Sequence, residues 1–127
     1  MERRKAVVTG GSSGIGRGVV YCLAADGCDV VFSYRSKAEN ARKVLEDLQG
    51  RYPEGKFTCF EGDFSEDGAG VAFFNRAVEF LGGLDLMVNN AGVTILESIF
   101  DLTEEHMDYL IQVLFRNYVI LMRESAT

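Results

Sequence analysis

The 127-residue sequence contains one proline, one histidine, three cysteines and no apolar run approaching the roughly 18 residues of a membrane span. Each scarcity excludes something. A single proline, no low-complexity tract, and a composition of 47% hydrophobic and 25% charged residues exclude a disordered or linker-rich chain. Residues 1–127 are expected to form one domain. Thirteen Lys and Arg against nineteen Asp and Glu leave a net charge of −6, and the basic residues are scattered, so a nucleic-acid partner is not expected. Cys22, Cys28 and Cys59 are odd in number and match neither a C-x-x-C nor a zinc spacing. They read as reduced core thiols of a cytoplasmic protein, with no metal site. The basic start Met1–Lys5 runs into glycines too soon for a signal-peptide apolar region, and no membrane partner is expected.

What the chain does have is alternation. Ala6–Thr9, Asp29–Tyr34, Phe57–Phe60 and Leu84–Asn89 are short β-branched and aromatic runs, each followed by a helical pattern. Ile15, Val19, Cys22 and Leu23 mark one side of the first helix; Ala38, Ala41, Val44, Leu45 and Leu48 mark the second. Val71, Phe74, Val78 and Leu81 mark a third, running from about Asp67. A last helix begins after Thr103, a capping residue followed by Glu104 and Glu105, which favour the positive helix end. It is expected to run to Arg123, with Met107, Leu110, Ile111, Leu114, Tyr118, Leu121 and Met122 on one face. Val113, Phe115, Val119 and Ile120 add apolar surface beside that face, so cover on two sides is expected. Repeated strand–helix units imply a parallel α/β sheet.

The stretch Thr9–Gly16, TGGSSGIG, lies between the first strand and the first helix. Gly10 permits a tight turn, Gly14 lets backbone N–H groups approach a pyrophosphate, and Gly16 lets the helix pack close to the sheet. The helix N-terminus supplies partial positive charge. A glycine turn without a ligand is the alternative reading, and the flanking strand and helix weigh against it. A second motif, Asn89-Asn90-Ala91-Gly92, follows the fourth strand.

T-G-x-x-x-G-x-G and N-N-A-G, in that order and each at a strand end, resemble the short-chain dehydrogenase/reductase family. The resemblance implies a Rossmann-like, doubly wound parallel sheet of strand order 3-2-1-4, truncated after the fourth strand and its following helix. It implies that Gly10, Ser12, Ser13, Gly14, Ile15 and Gly16 bind a dinucleotide, that Asn89 braces the sheet, and that Asn90, Ala91 and Gly92 line the cleft. Asp63-Phe64 resembles the pair whose carboxylate accepts from the adenine amino group; a solvated turn Asp is the alternative. At the tip of the second strand stand Tyr34, Arg35 and Ser36, where members that prefer NAD carry an acid. Arg35 and Ser36 suit a 2′-phosphate, with Lys37 as a further cation, so NADP is favoured over NAD. Tyr34–Ser36 and Asn90–Thr94 look loosely like reductases of 3-oxoacyl thioesters.

Family catalysis uses a Ser and a Tyr-x-x-x-Lys on one helix, and neither is expected here. Tyr52-Pro53-Glu54-Gly55-Lys56 has the spacing, but Pro53 and Gly55 oppose a helix. The family's V-N-L-x-G run corresponds to Val113–Asn117, with Leu114 in place of its Asn. His106 reads as a surface residue. Two functions follow: the NADP(H)-binding part of an oxidoreductase moving hydride between nicotinamide and a carbonyl or alcohol, or an inactive nucleotide-binding or oligomer-partner module. Self-association, or pairing with a longer relative through the last helix, is expected under either.

Overall fold

Each short apolar run forms a strand and each glycine-closed periodic segment a helix. The order is β1 (Lys5–Val8), α1 (Gly14–Ala25), β2 (Asp29–Tyr34), α2 (Ala38–Arg51), β3 (Phe57–Glu61), α3 (Ala69–Leu81), β4 (Leu86–Val88), α4 (Glu104–Ile111) and α5 (Asn117–Ser125). This computed structural model describes residues 3–64, 66, 68–90, 103–112 and 117–125. The strands form one parallel sheet in the order β3-β2-β1-β4, as the motifs imply.

Strand side chains alternate between faces, and both faces are covered, so Ala6–Val8 of β1 and Val30–Phe32 of β2 are apolar at every position. Ala6, Val8, Val30 and Phe32 pack with Val20 and Ala24 of α1 and Ala41, Val44 and Leu48 of α2. Val7 and Val31 point the other way, into Phe64, Phe73, Phe74, Ala77 and Leu81. Helix α5 packs on α3. The sheet is therefore doubly wound.

The periodic stripes need correction in detail. The buried residues of α1 are Gly16, Val20 and Ala24, not Ile15, Val19, Cys22 and Leu23. Val19 and Leu23 flank the core, while Cys22 is exposed and Ile15 is 81% exposed. The reason is the close approach at Gly16, which turns that residue inward so that Val20 and Ala24 follow at four-residue spacing; apolar spacing alone cannot rank adjacent stripes. In α3 the inward residues are Gly70, Phe73, Phe74, Ala77 and Leu81, so Phe73 and Ala77 displace Val71 and Val78. Of the three thiols only Cys28 is buried; burial raises the pKa of Cys28 and of half-buried Cys59 above the ordinary thiol value.

The expected long final helix is described as two segments, α4 and α5, with 113–116 outside the described residues, including Val113, Leu114 and Phe115. Thr103 does cap α4: its Oγ1 accepts from the His106 N–H at 3.0 Å. At the amino edge of the sheet, buried Asp29 Oδ1 accepts from Arg3 Nε at 2.7 Å and from the Lys56 N–H at 2.9 Å. One carboxylate thus ties the chain entering β1 to the starts of β2 and β3.

Phe32 is fully buried at the centre of the α1–α2 face. Phe32→Ala should lower unfolding free energy by about 3–5 kcal/mol, whereas Ile15→Ala should change it by less than about 0.5 kcal/mol. Urea denaturation of the two variants checks the burial pattern; equal losses would contradict it.

Candidate functional site

All four strands run in one direction, so the turn after β1 and the ends of β2, β3 and β4 share one edge of the sheet. Strand β2 extends beyond its last β1 partner, Phe32 opposite Val8, through Ser33 and Tyr34. That overhang has a use. The Gly10 N–H donates to Ser33 Oγ and the Gly11 N–H to the Ser33 carbonyl, both at 2.9 Å. Ser33 is 2% exposed and holds the glycine turn with two groups.

On the other side the turn is bonded to the end of β4. Buried Thr9 donates its N–H to the Val88 carbonyl at 3.0 Å and its hydroxyl to the same oxygen at 3.4 Å. The hydroxyl oxygen accepts from the Asn90 N–H at 2.9 Å, and Asn90 Nδ2 donates to the Gly10 carbonyl at 3.3 Å. Asn90 therefore makes the bracing contacts expected of Asn89. Asn89 Oδ1 is buried and has no hydrogen-bond partner among the described residues.

Each glycine of the turn answers to a different local requirement. Gly10 (φ 73°) and Gly14 (φ 59°) occupy left-handed conformations. A Cβ on Gly14 would meet nothing within 4 Å, so its glycine character serves the backbone turn and leaves open space above it. Gly16 is the close-approach residue: a Cβ there would collide with the Gly10 carbonyl and the Asn90 amide. Gly11, which spacing did not single out, lies against Phe32 and Val20 in the same way.

Helix α1 starts directly from this turn. Ser13 is its N-cap, with extended backbone and no side-chain capping bond, and its carbonyl accepts from the Arg17 N–H at 3.2 Å. The N–H groups of Gly14, Ile15 and Gly16 have no intrahelical acceptor and carry the helix's partial positive charge. Ser12 is buried, Ser13 half-buried, and Ile15 projects outward beside those amides.

Tyr34 is half-buried, and its carbonyl accepts from the Gly62 N–H at 2.8 Å; Arg35 and Ser36 follow it, exposed. Asp63 is half-buried beyond β3. Phe64 is a core side chain, its ring 5.9 Å from that of Phe73. Ala91 and Gly92 lie outside the described residues. The edge thus brings together the glycine turn, Tyr34–Ser36, Asp63 and Asn90.

Tyr52 and Lys56 are elsewhere. Tyr52 terminates α2, donating its N–H to the Leu48 carbonyl, and Lys56 precedes β3 with its N–H on Asp29, at the amino edge of the sheet. His106 is half-buried in the first turn of α4. Two site-building residues escaped the sequence reading, Ser33 and Gly11. A small polar residue inside the apolar run DVVFSY was the available signal for Ser33.

A family model described as short chain dehydrogenase matches residues 4–127. A short-chain dehydrogenase/reductase of Armillaria gallica is 36% identical over 126 residues, covering 98% of this chain and 48% of that protein. The hydroxyacyl-CoA dehydrogenase ChsB1 of Mycobacterium tuberculosis is 34% identical over 128 aligned residues, covering 99% and 40%. Among solved structures, a short chain dehydrogenase from Burkholderia cenocepacia in complex with NADP matches with a TM-score of 0.91 at 34% identity, covering 97% of this chain and 49% of that one. The chain spans about half the length of the relatives it matches.

Gly16 and Gly18 lie on the same helix with opposite surroundings, since a Cβ on Gly18 would meet nothing within 4 Å. Gly18→Ala should stabilise the fold by about 0.5–1 kcal/mol. Gly16→Ala should destabilise it by about 1–3 kcal/mol through overpacking. Thermal and urea unfolding give both signs; two stabilised variants would contradict the close contact at Gly16.

Proposed function

Because this chain belongs to the short-chain dehydrogenase family of oxidoreductases, we propose that its residues 1–127 act as one dinucleotide-binding domain that holds NADP(H) for hydride transfer between nicotinamide and a carbonyl or alcohol. The observation that carries this reading is the uncapped first turn of α1, fixed in place by Ser33, Thr9 and Asn90. Backbone donors held before a ligand arrives need no reorganisation to accept an anion.

The residues present fit the coenzyme. Open space over Gly14 admits a pyrophosphate to the amides of Gly14, Ile15 and Gly16, and Gly10, Ser12 and Ser13 shape the approach. Arg35 and Ser36 at the end of β2 would hold a 2′-phosphate, with Tyr34 and the carboxylate of Asp63 flanking the adenosine end. Phe64 would contribute through its backbone, and Asn90, Ala91 and Gly92 would line the other side of the cleft. When bound, the nicotinamide supplies or accepts the hydride. This chain's residues orient it; the proton-transferring Tyr and Lys of the family do not map onto Tyr52 and Lys56, which lie at the opposite edge of the sheet.

The solved relative in complex with NADP supports the choice of NADP over NAD. The relative named a hydroxyacyl-CoA dehydrogenase supports an acyl thioester as the substrate class. Exposed Val119 and Met122 on α5, with exposed Leu86 at the β4 edge, support pairing with a second copy or a longer relative. Free thiols support residence in the cytoplasm.

Arg35→Ala should weaken NADP by roughly 10- to 150-fold, the equivalent of about 1.5–3 kcal/mol for a hydrogen bond to a charged group, and change NAD affinity little. Calorimetric dissociation constants for both coenzymes check this. An unchanged NADP-to-NAD ratio would contradict the assignment of Arg35.

A further inference from the structure

Helices α1 and α2 lie side by side on one face of the sheet, and the groove between them opens into a cavity of about 330 Å³. Its walls are Arg17 and Tyr21 from α1 and Asn40, Lys43, Val44 and Asp47 from α2. The groove is open to solvent along its length. None of these six residues belongs to the glycine turn, the β2 tip or the Asn89–Gly92 motif.

The charge in the groove is unbalanced. Asp47 is the only carboxylate in its walls, and it is engaged: Tyr21 donates its hydroxyl to Oδ2 at 2.7 Å and Arg51 donates Nε to Oδ1 at 3.2 Å. Glu39, on the first turn of α2, pairs with Arg42, which is the larger influence on its carboxylate, and lies within electrostatic range of Lys43. Arg17 and Lys43 are in no ion pair with a described residue. In a chain of net charge −6, two such cations lining one groove, with the amide of Asn40 also in its walls, favour an anion there. Arginine's planar fork and lysine's compact ammonium together offer more donors than one carboxylate can accept, and match a phosphate's three oxygens. The ring of Tyr21 and the side chain of Val44 supply apolar surface beside them.

We propose that the α1–α2 groove is a binding site for a small organic phosphate, distinct from the strand-end cleft, with the phosphate on Arg17, Lys43 and Asn40 and the organic portion against Tyr21 and Val44. Tyr21 stays a protonated donor to Asp47, because burial first and the neighbouring carboxylate second raise its pKa. The Tyr21–Asp47–Arg51 chain thereby keeps the Asp47 carboxylate hydrogen-bonded through both oxygens.

Titration of the 127-residue protein with phenyl phosphate, followed by calorimetry and amide chemical shifts, tests the site. Saturable binding at about 1 mM or tighter is expected. Loss of about tenfold or more is expected in the Arg17→Gln/Lys43→Gln variant, whose exposed positions and unchanged circular dichroism would report an intact fold. Affinity should be the same with and without saturating NADP, and inorganic phosphate should bind more weakly. Absence of saturation, equal binding by the double variant, or inorganic phosphate binding as tightly as phenyl phosphate would overturn the proposal. Displacement by NADP would also overturn it, assigning the groove to the dinucleotide.

Discussion

The hydroxyl of Thr9 is the joint on which the strand-end site depends. It is fully buried, donates to the carbonyl that ends β4 and accepts from the backbone of Asn90, so one oxygen fixes the separation between two turns from distant parts of the chain. Asn90 then reaches back to the Gly10 carbonyl, and the same carbonyl is the atom that forbids a side chain on Gly16. Ser33 closes the arrangement from the β2 side. The glycine turn is thus bonded on both flanks before any ligand is present. Removing the hydroxyl would take the acceptor from the part-buried Asn90 N–H, at a cost beyond that of the bond alone.

Much of this was legible in the residues, for identifiable reasons. Short β-branched and aromatic runs such as DVVFSY favour strands covered on both faces, and glycine-closed helices between them favour a parallel order. The motifs were readable because glycine at Gly10 and Gly16 answers to local requirements, a left-handed turn and a collision. What failed were choices among near-equivalent positions. The apolar residues of α1 can be grouped in more than one stripe, and only the closeness of the sheet selects Gly16, Val20 and Ala24. Adjacent Asn89 and Asn90 differ in which way the chain turns after β4, a matter of tertiary register rather than of type. Ser33 and Asp29 make their contacts with residues far along the chain, so the sequence marks them as polar residues in an apolar run but does not show their partners.

The distribution of charge separates two edges and one groove. At the amino edge Asp29 is satisfied by Arg3 and the Lys56 amide and serves the fold. At the carboxyl edge the positive end of α1 is left uncapped beside the exposed Arg35. Between α1 and α2 the lone carboxylate is internally bonded while Arg17 and Lys43 face the cavity. In an acidic protein, positively charged groups gathered in two places are the surfaces to which the two proposed anion sites are assigned.

Backbone amide shifts during an NADP titration of isotope-labelled protein address the central claim most directly, because they report the first turn of α1 itself. Saturable shifts at Gly14, Ile15 and Gly16, with Gly55 and Lys56 at the opposite edge unmoved, are the predicted result. Saturable NADP binding that leaves those three amides unperturbed, or no saturable binding at all, would contradict the account.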